Sequence, residues 1–215
     1  MIEAISGIRL KSIFHEVAAI LNDNKDLLTE RDSAMGDGDL GLYVPRGFIK
    51  AESALADGLT PGQMLMKASS ALNAEAPSTL GTLLSFALLA AGKAAGNEQE
   101  LRARQIIDMG QSAIDMIMKR GKANRGEKTI LDVMMPAHEA LEKALAADRN
   151  DLQAAFGAAL ESAKTGLDES TEMRAVHGRP GYYGDASIGK QDGGAMVGYL
   201  IYLGIMKGLN DEKTN

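Results

Sequence analysis

The chain has 215 residues, 45% of them hydrophobic and 24% charged, with a formal net charge of −6 and no cysteine. That length buries one sizeable core, so a single domain over residues 1–215 is expected. An acidic chain with no clustered basic face excludes nucleic acid as a partner, and the absence of cysteine excludes disulfides and thiol chemistry. No stretch reaches the roughly 18–20 apolar residues of a membrane span and the start Met1-Ile2-Glu3 is no signal segment, so the expectation is a cytoplasmic protein with no membrane partner.

Ala, Leu, Met and Glu are abundant, aromatics make up 4% and Trp is absent, which argues for helices packed on helices. In chain order, Ile8, Ile13, Phe14, Val17, Ile20, Leu21, Leu27 and Leu28 recur at spacings of three and four. They predict an amphipathic helix over 7–28, with Asn22-Asp23-Asn24 as a possible interruption. A loop follows, and helix resumes over 42–57, with Pro45 tolerable only in the first turn. Thr60-Pro61-Gly62-Gln63 has the form of a helix start, with a hydroxyl at the N-cap, proline at N1 and a glutamine able to complete a capping box. That helix is expected to end near 73. The apolar segment 80–94 predicts a central buried helix ending at Gly96, and Asn97 is expected to cap a helix over 98–120. Pattern resumes from Thr129 to Ala146 with a kink expected at Pro136, and Asn150 is expected to cap 151–167. Residues 168–190 read as a long loop, 193–208 as a last helix and 209–215 as a polar tail.

Three glycine-rich segments carry the chemistry. The first is Asp32-Ser-Ala-Met-Gly36-Asp37-Gly38-Asp39-Leu40-Gly41. Hard divalent cations take oxygen ligands, and Mg²⁺ combines one or two carboxylates with phosphates and water, so Asp32, Asp37 and Asp39 are candidate metal ligands. The plain alternative is a polar turn between helices. An EF-hand is excluded, because counting from Asp37 places Gly41 at position five and Phe48 at position twelve. The second segment, Gly121-Lys-Ala-Asn-Arg125-Gly126-Glu127-Lys128-Thr129, nearly spells a phosphate-binding P-loop. Glu127 interrupts it and a helix rather than a strand precedes it, so that motif is rejected. What remains is a helix start near Thr129, suited to phosphate or ribose or simply a turn between helices. The third runs from Gly178-Arg179 to Asp192-Gly193-Gly194-Ala195. Arg179 can clamp phosphate in bidentate fashion, and the glycines let backbone approach a ligand; as isolated residues they are ordinary loop polars. His15, His138 and His177 form no metal-ligand spacing, no Ser-His-Asp arrangement is present, and the twelve methionines are core filler.

Together these segments resemble the ADP-binding L subunit of dihydroxyacetone kinase from about residue 5 to 208. The residues that carry the resemblance are Gly36-Asp37-Gly38-Asp39-x-Gly41 with Arg46-Gly47-Phe48, Gly81-Thr82, Gly126-x-Lys128-Thr129-x-Leu131-Asp132, Gly178-Arg179, Ser187-Ile188-Gly189 and Gln191-Asp192-x-Gly194-Ala195. The resemblance implies an all-α barrel of about eight antiparallel helices with nucleotide and metals at one end. It implies that Asp32, Asp37 and Asp39 hold two Mg²⁺ ions, which hold the phosphates of ADP or ATP. Leu40, Gly41, Gly121, Ile130, Arg179, Asp192, Gly193 and Gly194 would line the nucleotide, with Arg179 the catalytic charge and no general base in this chain. It further implies a separate K subunit that binds a short-chain keto-sugar, a phosphohistidine protein of the phosphotransferase system as donor in one branch, and a possible homodimer.

The sequence departs from the family pattern at two places. Leu40 stands where a His is common. Ala74-Glu75-Ala76-Pro77 replaces a Gly-Ala-Ser-Gly phosphate loop, leaving Ser78 and Thr79 as donors at the next helix start. These changes suit a sugar other than dihydroxyacetone. The alternative from a different class is a non-catalytic module that binds a partner subunit or a transcription regulator.

Overall fold

The computed structural model describes residues 2–211. Nine α-helices are found among them: α1 (Gly7–Asp23), α2 (Lys25–Ser33), α3 (Leu40–Ser53), α4 (Pro61–Glu75), α5 (Thr79–Ala95), α6 (Ala103–Gly121), α7 (Leu131–Ala147), α8 (Leu152–Ser170) and α9 (Gly193–Leu209). A 3-10 helix spans Pro180–Ser187, and two short strands, β1 (Ile5–Ser6) and β2 (Glu100–Leu101), pair antiparallel.

Eight of the α-helices close a ring in which each packs on the next, α1 on α3, then α4, α5, α6, α7, α8 and α9, which returns to α1. Close approaches fix the directions. Gly62 of α4 lies against Gly92 and Gly96 at the far end of α5, Gly166 of α8 meets Asp132 at the start of α7, and Gly204 and Gly208 of α9 meet Val17 and Ile13 of α1. Neighbours therefore run antiparallel, and the fold is the expected all-α barrel. α2 continues α1 toward one end after a break at Asn24, whose amide bonds back to Ile20 (3.1 Å).

The core is aliphatic, with Leu21, Leu28, Leu131, Leu152 and Leu209 fully buried. An apolar cavity of about 220 Å³ lies inside the ring, lined among others by Phe14, Leu65, Leu84, Met134, His138 and Tyr202. Small residues set the helix spacing. A methyl group on Gly204 would stand 2.6 Å from Val17 Cα, so α1 and α9 touch nearly backbone to backbone.

Several local expectations are corrected. α3 begins at Leu40, which puts Pro45 in its second turn; the missing proline N–H removes a single helix bond, the one to Gly41. α6 begins at Ala103 rather than 98, because Glu100 and Leu101 extend to pair with β1, and Asn97 caps nothing. Asp151, not Asn150, caps α8, accepting from the Ala154 amide (3.0 Å). α7 begins at Leu131, and Pro136 sits inside it; the Asp132 carbonyl that this proline cannot bond faces Gly166 of α8, which has no side chain to collide with it. The stretch 168–190 is part helix: α8 runs to Ser170, and the 3-10 turns follow. The expected polar tail is anchored where it begins. Leu209 is buried and its carbonyl accepts from Arg9, Asn210 Oδ1 accepts from Gln153 (2.8 Å), and Asp211 accepts from the Ser12 hydroxyl (2.8 Å). The rest of that tail, 212–215, lies outside the described residues.

Candidate functional site at one end of the barrel

The alternation of helix directions gathers four helix starts (α3, α5, α7, α9) and the ends of α2, α4, α6 and α8 at one end of the ring. Each start presents first-turn amides and the positive pole of its peptide dipoles, an arrangement that favours anions. All three glycine-rich segments lie here.

The acidic loop is built by its own hydrogen bonds. The Asp32 carbonyl accepts from the Met35 amide (3.1 Å), and its carboxylate reaches eight residues on to the Leu40 amide in the first turn of α3 (3.4 Å). Gly38 turns the chain at φ 76°, and a side chain there would strike Ser33. Asp39 is the N-cap residue of α3, but its side chain makes no capping bond. One carboxylate oxygen from each of Asp32, Asp37 and Asp39 lies within 4.8 Å of the others, a spacing that a divalent cation can bridge. Burial, then the charges of Asp37 and Asp32, push the Asp39 carboxyl above its usual range. Such a cluster is most stable with a cation among its oxygens.

Arg179, distant in sequence, places Nη2 2.7 Å from Asp37 Oδ2. Its side chain is 64% exposed, so the charge stands at the rim. The chain that bears it is pinned from below: Ser187 Oγ accepts from the Ala175 amide (2.8 Å) and donates to the Gly184 carbonyl (2.6 Å), and the Gly189 amide donates to Thr171 (2.8 Å).

Asp192 opens α9 by accepting from the Ala195 amide (2.8 Å). It is 6% exposed, and burial pushes its carboxyl up to about 6. Its side chain is thus committed to the cap; of the two glycines that follow, Gly193 is buried and Gly194 is half-buried. Gly193 packs against Leu40 and the Asp32 backbone, and Gly194 against the Ile130 amide. Leu40, Gly41 and Ile130 are buried, and the Leu40 amide is held by the Asp32 carboxylate. Gly121 ends α6 beside Leu83 of α5.

Ser78 caps α5, accepting from the Gly81 amide (3.0 Å), and Thr79 is its first residue. The amides of Thr79 and Leu80 precede the first helical acceptor. Among the described residues no direct contact joins Ser78 or Thr79 to the carboxylates. Glu75, the carboxylate that intrudes on this turn, is drawn aside by Arg46, whose Nη2 lies 3.1 Å from it.

Sequence reasoning assigned no role to the residues that bind the loops together. Asp132, 2% exposed, accepts from the amides of Gly126 and Thr129 (2.6 Å to the latter). Lys128, also 2% exposed, donates to three carbonyls at the end of α8, and Glu127 pairs with His177 (2.6 Å). An acid three residues after Thr129 at a helix start was the available signal for Asp132. Nothing in a hydrophobic pattern marks a buried lysine.

A family model described as the DAK2 domain matches residues 34–207. The chain is 32% identical over 180 residues to the PEP-dependent dihydroxyacetone kinase, ADP-binding subunit DhaL, of Escherichia coli K12, covering 82% of this chain and 84% of that protein. It is 30% identical over 216 residues to L-erythrulose kinase of Pectobacterium atrosepticum, covering 95% of this chain but 36% of the relative, so it spans about a third of that protein's length. D-erythrulose kinase of Mycolicibacterium smegmatis is 33% identical over 195 residues, with 88% of this chain and 33% of the relative covered. In fold, it matches the crystal structure of the dihydroxyacetone kinase from C. freundii in complex with AMP-PNP and Mg²⁺, with a TM-score of 0.72 at 20% identity over 96% of this chain and 35% of that one. With the model spanning most of the sequence and the DhaL subunit aligned over most of both chains, this chain belongs to the DAK2-domain family, as a relative of the ADP-binding DhaL subunits of dihydroxyacetone kinase.

Proposed function

We propose that the chain is the nucleotide-binding subunit of a keto-sugar kinase, a single-domain cytoplasmic protein that carries ADP or ATP and supplies the phosphoryl group to a sugar bound on a separate K subunit. The observation that carries this reading is the juxtaposition of three carboxylates within 4.8 Å with Arg179 at 2.7 Å from Asp37, at the end of the barrel where four helices begin. A scaffold gains nothing from like charges held together. A polyphosphate site does.

In this reading Asp32, Asp37 and Asp39 hold two Mg²⁺ ions, a donor set that fits a hard cation. When bound, the metal neutralises polyphosphate charge and fixes its orientation. The remaining work falls to the chain. The backbone at Gly194, beside the buried Gly193, admits a ligand close to α9, and the starts of α5, capped by Ser78, and α7 offer it the amides of Thr79 and Ile130. The rim position of Arg179 suits stabilisation of the charge that a transferring phosphoryl group spreads over its oxygens, so Arg179 is the catalytic residue. Gly121, at the end of α6, is placed to bound the base or ribose, and Leu40 and Gly41 support the metal loop from beneath.

The substrate is a short-chain keto-sugar. The relatives are named for dihydroxyacetone and for erythrulose, and the turn at Glu75-Ala76-Pro77 supports a ligand set different from that of the dihydroxyacetone enzymes. Some relatives are named PEP-dependent or PTS-dependent, which supports a phosphohistidine protein as donor. The test is to denature the purified protein and measure released ADP, then repeat with Asp37→Asn. The reading expects nucleotide in the first preparation, or Mg²⁺-dependent uptake of added nucleotide, and neither in the second. A protein that neither carries nor takes up nucleotide contradicts it.

A further inference from the structure

Two neighbouring residues of the α6–α7 loop reach across to the α8–α9 loop. Lys128, at φ 59°, donates from Nζ to the carbonyls of Ser170 (2.7 Å), Thr171 (3.1 Å) and Met173 (3.2 Å). Glu127 makes the outer contact: its Oε2 accepts from the Asn124 amide (2.6 Å) and lies 2.6 Å from His177 Nε2, and its carbonyl accepts from the Val176 amide (3.4 Å). The Asn124 amide and then His177 hold the Glu127 carboxyl below its usual range, so it is an acceptor and His177 Nε2 carries the hydrogen.

His177 stands two residues before Arg179. Its carbonyl accepts from the Gly181 amide (3.3 Å), and Gly178 between them turns at φ 63°. An arginine 64% exposed, with Asp37 its recorded ion-pair partner, is aimed by the backbone that carries it rather than by packing. On the far side of Arg179 that backbone is held by Ser187, on the near side by His177.

We propose that Glu127 and His177 are a positioning pair, which fixes the loop so that Arg179 points at the carboxylate cluster. This role rests on the functional reading above. The pair acts through the backbone: it ties the segment that bounds one side of the open end to the segment that supplies the arginine. Ordering that loop before ligand arrives lowers the entropy lost on binding.

The experiment is a mutant cycle read by calorimetric titration of Mg²⁺-ADP. His177→Ala and Glu127→Ala each weaken binding roughly tenfold, as expected when a charged contact is misplaced rather than removed. His177→Gln keeps an N–H donor of similar reach and returns affinity to within about twofold of the parent. In an Arg179→Ala background His177→Ala has no further effect, because there is no guanidinium left to aim. Amide exchange of residues 176–183, measured without nucleotide, accelerates in His177→Ala while α7 and α8 exchange as in the parent. A full additional loss in the Arg179→Ala background, or no effect of His177→Ala on binding, overturns the positioning role alone. A parent chain that binds no nucleotide with Mg²⁺ overturns the functional reading and this role together.

Discussion

Replacing Asp39 by Asn inverts in its effect on stability with the presence of metal and nucleotide. Unit charges at 4.8 Å, the outer limit of the spacing in the cluster, repel by about 0.9 kcal/mol in bulk water and about 3.5 kcal/mol at an effective dielectric of 20. Asp37 is exposed and Arg179 offsets part of the charge, so the lower figure governs and Asp39→Asn gains about 1 kcal/mol in chelator. For a chain of this size that is a rise of about 2–4 °C in Tm. The direction agrees with the acid equilibrium: burial and the two neighbouring carboxylates raise the folded-state pKa of Asp39, so the folded chain favours the protonated, neutral form that Asn imitates. With Mg²⁺-ADP at about 100 times its Kd, the parent gains about 2.7 kcal/mol and the variant, with a ligand missing, gains far less. Thermal melts in EDTA and in Mg²⁺-ADP read both effects. A variant that melts below the parent in EDTA, or that gains as much from Mg²⁺-ADP, refutes the reasoning.

Three further outcomes follow from the packing. Gly41→Ala drives a methyl into the Lys25 carbonyl at the start of α2, and the forced separation of α2 from α3 costs about 1–3 kcal/mol; urea unfolding at unchanged slope measures it, and a neutral result counts against the close approach. Lys128→Met retains bulk but strands the carbonyls of Ser170, Thr171 and Met173, and costs about 2–4 kcal/mol in the same assay. Asp192, buried with its carboxyl pushed up to about 6 from 3.8, binds its proton more tightly in the folded chain. Stability therefore falls as pH rises from 3.8 to 6, by on the order of 3 kcal/mol. Asp192→Asn keeps an acceptor for Ala195 and flattens that slope, and an unchanged pH profile of urea unfolding contradicts the assignment.

How far the sequence carried can be seen element by element. Thr60-Pro61-Gly62-Gln63 encodes its helix start locally, and the capping box forms with both bonds present. Asp192-Gly193-Gly194 likewise opens α9, and the break at Asn24 divides α1 from α2. Helix existence and the all-α class follow from periodicity because each helix buries one face. The β1–β2 pair was not legible, since two residues a strand carry no alternation to read. At the site, the spacing of Asp32, Asp37 and Asp39 on a short glycine-hinged loop made their proximity legible. The link between Asp37 and Arg179, and the hold of Glu127 and Lys128 on the α8–α9 loop, join residues far apart in sequence. They arise from ring closure, which no local pattern encodes. Glu75 is the converse case: the sequence shows a carboxylate in the wrong place for phosphate, and only the fold shows Arg46 drawing it aside.

The central claim is that the acidic loop holds nucleotide through metal. Titrating ADP into the purified chain, once with Mg²⁺ and once with EDTA, tests it most directly. The account predicts saturable binding heat with Mg²⁺ alone, abolished in the Asp37→Asn, Asp39→Asn double variant. Binding that persists in EDTA, or that survives the loss of both aspartates, contradicts it.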